Sequence, residues 1–501
     1  MTIKIFKISL IILLFLTLVK TDYRLVDEID CCSDDFEYFI HAQTIAIDRD
    51  FDYSNQILDT SKARFSYNNK IAPAAFVGSG ILSAPFYFVG SVLNNYFPGG
   101  NKFNFVILFY SLSSIVYLLL AFLLVYKSIQ IINSKVNFDK LLIIFFGTGL
   151  SYYAFERYSM THIYEVFSSA LLIFLTLQFS KKYKLKIVNL YATLIPLAIL
   201  IGILCRWTNY YLLVLPLLIN AFYLKKFGKG NILYKNKLFY FSIFICILIF
   251  IGLSKLIYGV VTFNPQFVYS SNRLEGFIEL SSNFFITNIK NFILVMFGNE
   301  FGILWTAPCI AFCIILVFIH FFRNKQKSLD FITLLIFAQV LSVVLIWETT
   351  ASSYGFRYLY SIIPFSIFYI YYVIEDFDQK NISKVLYIFS VFGFISYLFF
   401  ETTSYTQLIS TPITNSFGKV DVPYSQPEYL TGVLRSLLIP EAYLKILANG
   451  FLAAFIIKLF IYFFNYGFLL ETLFKFNLPV ENKSFLNNVS NVISTDFVNI
   501  L

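Results

Sequence analysis

FNFVILFYSLSSIVYLLLAFLLVY, residues 103–126, contains no charged side chain, and its reading decides the fold class. About 20 predominantly apolar residues cross the hydrocarbon core of a bilayer as one helix, so this stretch is long enough to span. Runs of the same kind recur along the 501 residues, which are 58% hydrophobic and only 13% charged. A soluble domain cannot hide that much apolar surface, so the sequence predicts an all-α polytopic membrane protein. The net charge of +9 sits largely in short loops, where it reads as a signal of membrane orientation, and no nucleic-acid-binding pattern accompanies it. The 61 Phe and 36 Tyr go with an excess of Ile, Asn and Lys, a coding bias and not an aromatic binding surface. The six cysteines form no framework: Cys31 and Cys32 are adjacent, and Cys205, Cys246, Cys309 and Cys313 fall in or beside apolar spans as packing residues.

Length and scarcity of charge place spans at 5–19, 103–126, 140–156, 161–180, 187–205, 208–224, 238–258, 300–322, 330–347, 357–374, 384–400 and 446–466, about twelve transmembrane helices. The first, preceded by Lys4 and Lys7 and followed by Lys20-Thr21-Asp22 with no small-residue cleavage site, reads as a retained signal anchor. Residues 71–101 are uncharged but carry Pro73, Pro85 and Pro98 with Gly78, Gly80, Gly90, Gly99 and Gly100, a pattern that predicts two short helices. If that stretch stays on one side, the basic clusters at Lys127 to Lys140, Lys181 to Lys186, Lys225 to Lys237 and Arg323 to Lys327 all face inside. If it crosses, they all face outside, against the rule. Residues 22–102 then form one long outside loop with interfacial helices, 401–445 a second outside loop and 467–501 a cytoplasmic tail after the last span.

Acidic residues gather directly after the first span, at Asp27, Glu28, Asp30, Asp34, Asp35 and Glu37. Ionisable groups beside a bilayer are costly, which makes this cluster a candidate site. Residues 34–48 predict a surface helix with Tyr38, Phe39, Ala42, Ile45 and Ala46 on its apolar stripe and Glu37, His41, Thr44 and Asp48 opposite. A simpler reading competes: Asp34 with Glu37 three residues on makes a capping box, and acids in a first turn satisfy the helix dipole.

Asp34-Asp35-Phe36-Glu37-Tyr38-Phe39-Ile40-His41-Ala42 resembles the acidic-acidic-x-x-Tyr-x-x-x-Ala pattern in the first outside loop of the GT-C glycosyltransferases. That superfamily includes protein O-mannosyltransferases and lipid A aminoarabinose transferases. Pro73 to Gly90 is similar to its proline-containing segment, Phe297 to Pro308 to its glycine-aromatic run before a span, and Gly355-Phe356-Arg357-Tyr358-Leu359 to its Gly-x-Arg-Tyr element. The resemblance covers most of the chain to about Ile374 and implies a GT-C-like catalytic domain over 1–400. It also implies a polyprenyl-phosphate-linked sugar donor, a lipid, glycan or protein acceptor, inversion at the anomeric carbon, and an active site facing the periplasm from a bacterial inner membrane.

Such transfer needs a base for the acceptor proton and cations for the departing phosphate. Asp34 is the candidate base, and Asp35 the candidate to position the acceptor or hold a cation. Glu37 and Tyr38 are candidate substrate contacts. Arg357, whose planar fork suits a phosphate, leads the candidates for it, ahead of Arg157 and Arg206 at similar outside ends beside Glu156 and Asn209. Glu300 and Glu348 are candidates for substrate hydroxyls. His41 and His162 lack ligand spacing and read as structural or interfacial. The acid-x-acid pairs Asp48-Arg49-Asp50 and Asp50-Phe51-Asp52 arise readily by chance, so no metal ligands are assigned and a divalent cation is left open. Two other classes fit the same broad features: a flippase or transporter of lipid-linked glycans, and an O-antigen polymerase or ligase.

Overall fold

The computed structural model describes residues 33–57, 66–67, 70–97, 105–134, 136–155, 157–181, 188–227, 233–265, 282–297, 302–323, 327–346, 355–374 and 379–399. All of them fall within the unit Lys20–Ser436. The predicted spans at 5–19 and 446–466, the loop 401–445 and the tail 467–501 lie outside the described residues. Among the described residues helices dominate, and β1 (Ser66–Tyr67) pairs antiparallel with β2 (Lys70–Ile71) in a short hairpin.

Among the described residues, five helices are long and apolar enough to cross a membrane: Phe105–Ile132, His162–Lys181, Trp207–Phe227, Lys237–Tyr258 and Arg357–Ile374. Shorter apolar helices run over Asn189–Cys205, Pro308–Arg323 and Ile382–Gly393. Lys237–Tyr258 turns Phe241, Phe244, Ile245, Ile247, Leu248 and Ile249 outward, apolar groups around most of its circumference. Lipid, not water, is the solvent such a surface matches.

The bundle is polarised. Helix His162–Lys181 begins among carboxylates and arginines and ends at a lysine. At that lysine end Asn220 donates to Ser180 Oγ at 2.5 Å and Lys226 Nζ to the carbonyl of Ile132 at 3.0 Å, gathering the basic ends of neighbouring helices. His320, Asp330 and Tyr369 meet there as well, with Asp330 Oδ1 2.7 Å from His320 Nδ1 and 2.8 Å from the Tyr369 hydroxyl.

Several elements differ from the sequence expectation. Residues 78–96 form one helix, Gly78–Tyr96, with Pro85 inside it, instead of two short ones. The glycines counted as breakers serve close packing: a side chain at Gly78 would meet the backbone of Leu204 and Cys205, at Gly80 the Cβ of His41, and at Gly90 the backbone of Phe105 and Val106. This helix runs antiparallel along the first half of Phe105–Ile132, with Gly90 beside Phe105, Tyr87 against Tyr110 and the Tyr117 hydroxyl donating to Leu82 O.

The expected span 140–156 is interrupted instead. It consists of Phe138–Phe146 and Leu150–Phe155, parted at Gly147, where a side chain would strike the carbonyl of Ser390. The freed Gly149 N–H donates to Thr306 O at 2.7 Å, beside a second interruption between Ile303–Thr306 and Pro308–Arg323. Two further spans open with a 3-10 segment, Trp207–Leu213 and Arg357–Ile362, and each starts at or directly after an arginine.

Candidate functional site

The helix Ser33–Gln43, continued by a π-turn over Thr44–Asp48, occupies the predicted residues, but its polar face is not open to water. Glu37, His41 and Thr44 are buried along with Phe39, Ala42 and Ala46, because the helix packs into the protein against Gly78–Tyr96 and does not lie on the surface. His41 pins it. Its Nε2 donates to the Ala75 carbonyl at 2.9 Å, so its Nδ1 accepts from the Tyr53 hydroxyl at 2.6 Å. The Tyr258 hydroxyl donates to the same carbonyl at 2.6 Å, which ties the segment before Gly78 to the end of Lys237–Tyr258. Burial pushes the His41 imidazole down to about 4, so it is neutral at pH 7.

Asp34 and Asp35 stand in the first turn of this helix, about 100° apart around its axis, and point to different partners. Asp35 is fully buried: Oδ1 accepts from Ser159 Oγ at 2.6 Å and Oδ2 from Arg157 Nη2. Asp34 has 38% of its side chain exposed, and its Oδ2 accepts from Arg357 Nη2 at 3.1 Å. No local rule brings these partners together, since Arg157 and Arg357 lie 122 and 323 residues further along.

Arg357 is delivered by its turn. Gly355 has φ +63°, a left-handed conformation that side chains disfavour, and any Cβ there would crowd Thr306 and the Tyr360 hydroxyl. Phe356 then leads into the 3-10 segment with Arg357 at its first position. Arg206 occupies the equivalent place ahead of Trp207–Leu213, in extended backbone. The two guanidiniums meet at one ring, Arg206 at 4.2 Å and Arg357 at 5.3 Å from the centroid of Tyr358.

Arg206 has its own carboxylate. Its Nη1 lies 3.7 Å from Glu165 Oε1, while His162 Nδ1 lies 3.1 Å from the same oxygen and Asn209 donates to Oε2 at 3.1 Å. The site thus holds three carboxylate–arginine pairs, Asp34–Arg357, Asp35–Arg157 and Glu165–Arg206, at one end of the bundle. Tyr38 joins them electrostatically, with burial pushing its hydroxyl up and Arg206 the strongest opposing influence.

Of the residues singled out from sequence, Asp34, Asp35, Glu37, Tyr38, Arg157, Arg206 and Arg357 fall in this region. Glu156, Glu300 and Glu348 lie outside the described residues. Arg157 reaches Asp35, and Asn209, the neighbour of Arg206, bonds Glu165. Asp50 and Asp52 build a local turn, accepting from the N–H groups of Asp52 and Ser54 at 3.1 and 3.0 Å. Among the described residues no three His, Cys, Asp or Glu side chains converge as metal ligands. Sequence reasoning missed Ser159 altogether and Glu165 as the partner of Arg206 and Asn209. A buried acid at the head of an apolar span was the available signal for the last of these. No protein-family model matches the chain, and no curated protein or solved structure is significantly similar to it.

Proposed function

We propose that the chain is a GT-C-like membrane glycosyltransferase that moves a sugar from a polyprenyl-phosphate donor to a lipid, glycan or protein acceptor at the outer face of the membrane. The observation that carries this reading is the half-exposed Asp34 carboxylate 3.1 Å from Arg357, at a bundle end lined by further arginines. A base beside an anion-binding guanidinium is what displacement at a sugar phosphate requires. Asp34 takes the proton from the acceptor hydroxyl or amine as its lone pair attacks the anomeric carbon. The bond from that carbon to the phosphate oxygen breaks with both electrons going to oxygen, and Arg357 holds the charge that grows on the leaving polyprenyl phosphate. One displacement inverts the centre without a covalent enzyme intermediate. Arg206, stacked on Tyr358, adds a second positive group facing the same anion, while Asp35 acts through Arg157 as a positioning residue.

The membrane arrangement that goes with this reading has about twelve spans, residues 71–101 on one side, the lysine-rich end in the cytoplasm and the site facing the periplasm of a bacterial inner membrane. Its support is the polarity of the bundle, lysines at one end and carboxylate–arginine pairs at the other. A second reading, translocation of a lipid-linked glycan, draws on the two interrupted helices that meet backbone to backbone at Gly149 and Thr306. Purified protein in proteoliposomes with polyprenyl-phosphate sugars on the outer leaflet separates the two. Transfer of label to an acceptor is the expected result. Movement of intact labelled lipid between leaflets, with no transfer, would replace the first reading by the second.

A further inference from the structure

The Asp34–Arg357 pair contains a conflict that orders the reaction. Arg357 is about nine-tenths buried, and its arms are not equivalent. Nη1 faces the Met160 sulfur at 3.9 Å, and Nε is enclosed without a hydrogen-bond partner among the described residues. Nη2 donates to the carboxylate of Asp34, whose side chain is 38% exposed, and lies 3.5 Å from the Tyr358 hydroxyl. In the other two pairs the carboxylate is enclosed, Asp35 at 0% and Glu165 at 1% exposed, while Arg206 keeps 13% of its own side chain exposed. A phosphate that approaches over the exposed side of Asp34 meets Arg357 through Nη2.

We infer that Asp34 and the donor phosphate compete for Arg357, so that donor binding releases the base that the acceptor needs. The inference rests on the glycosyl-transfer reading for its chemistry, but its physical content is a competition that binding alone reveals. A carboxylate bonded to a guanidinium is a poor proton acceptor, because proton uptake would cost the pair its charge-assisted bond. When the phosphate takes Nη2, the positive charge is neutralised by the ligand and Asp34 regains its basicity beside the anomeric carbon. Acceptor deprotonation then follows donor binding, and an acceptor arriving first meets a base that is already engaged. The exposed side of Asp34 keeps it solvated when Nη2 leaves, and the incoming phosphate compensates the buried guanidinium.

The test is equilibrium binding of a polyprenyl monophosphate to the purified full chain in detergent, with folding of each variant checked by melting temperature. Asp34→Asn should bind about three- to fivefold more tightly than wild type, although it is the change expected to stop transfer. Arg357→Gln should bind at least about tenfold more weakly. In the double variant the gain from Asp34→Asn should vanish, because there is no arginine left to release. Unchanged or weaker binding by Asp34→Asn overturns the inference, as does a gain that persists without Arg357, which would report the removal of a nearby negative charge and nothing specific. Absence of wild-type binding overturns it too. Should the binding cycle hold while wild type transfers no sugar, the competition stands and the glycosyltransferase reading alone falls.

Discussion

Asp34 and Asp35 are adjacent in sequence and each is joined to an arginine, yet one pair sits at an open mouth and the other is sealed. The sealed pair has every visible mark of scaffolding: Asp35 has no exposure and both oxygens engaged, and it fastens the first outer helix to the turn before His162–Lys181. The open pair has a carboxylate with 38% of its side chain exposed and an arginine presented by a glycine turn. Burial separates the two. A buried carboxylate is expensive to strip of its partner, whereas one that faces water can be solvated when its partner leaves. Identical chemistry thus sits sealed at one residue and partly exposed at the next.

The largest effect that would break this comparison is on activity. Asp34→Asn should lower transfer by about 100- to 10,000-fold, the usual contribution of a general base, with the melting temperature nearly unchanged. Measured turnover within a fewfold of wild type would reduce Asp34 to a helix-terminal charge. The opposite profile is expected at the sealed pair. Asp35→Ala and Arg157→Ala should each destabilise the protein by about 3–5 kcal/mol, seen as loss of folded material on gel filtration, and the double variant should lose less than the sum. Normal yield with selective loss of acceptor binding in Asp35→Ala would move that carboxylate from scaffold to substrate.

A smaller change sharpens the role of the open pair's arginine. Arg357→Lys keeps the charge but loses the fork, so turnover at saturating donor should fall at least about tenfold, the loss of a charge-assisted hydrogen bond. Parallel assays of Arg157→Lys and Arg206→Lys show whether another guanidinium carries the phosphate instead. The smallest effect concerns the pin that holds the outer helix in place. His41 is held near 4 against an ordinary 6.5, so the unfolded chain binds more protons between those values. Its contribution to stability is complete above pH about 6.5 and is lost as pH falls toward 4. The melting temperature should drop across that window, and His41→Gln should lower it at pH 7 while flattening the drop. A profile identical in slope to wild type would show that other groups govern the acid sensitivity.

Several spans were legible because lipid forces each crossing segment to satisfy its own backbone hydrogen bonds, which leaves a long uncharged run as a local mark. Helices His162–Lys181, Val188–Cys205 and Lys237–Tyr258 begin and end within a residue or so of their expected bounds for that reason. The acid-rich first turn and the Gly-x-Arg element were legible too, as short motifs. Pairing was not. Glycines at 78, 80 and 90 looked like helix breakers in sequence and prove to be places where another element comes within touching distance, a property of the neighbour and not of the residue. The interruption at Gly147 likewise depends on Ser390 and Thr306 from distant helices.

By itself the sequence determined a helical membrane protein with carboxylates and arginines near its span ends, since hydropathy and charge are carried by individual residues. Only the tertiary structure decided which arginine each carboxylate meets and which pair stays open, because Asp34 finds Arg357, Asp35 finds Arg157 and Glu165 finds Arg206 through packing between helices far apart in the chain. Exposure, which separates an exchangeable pair from a structural one, belongs to that packing and has no counterpart in the order of the residues.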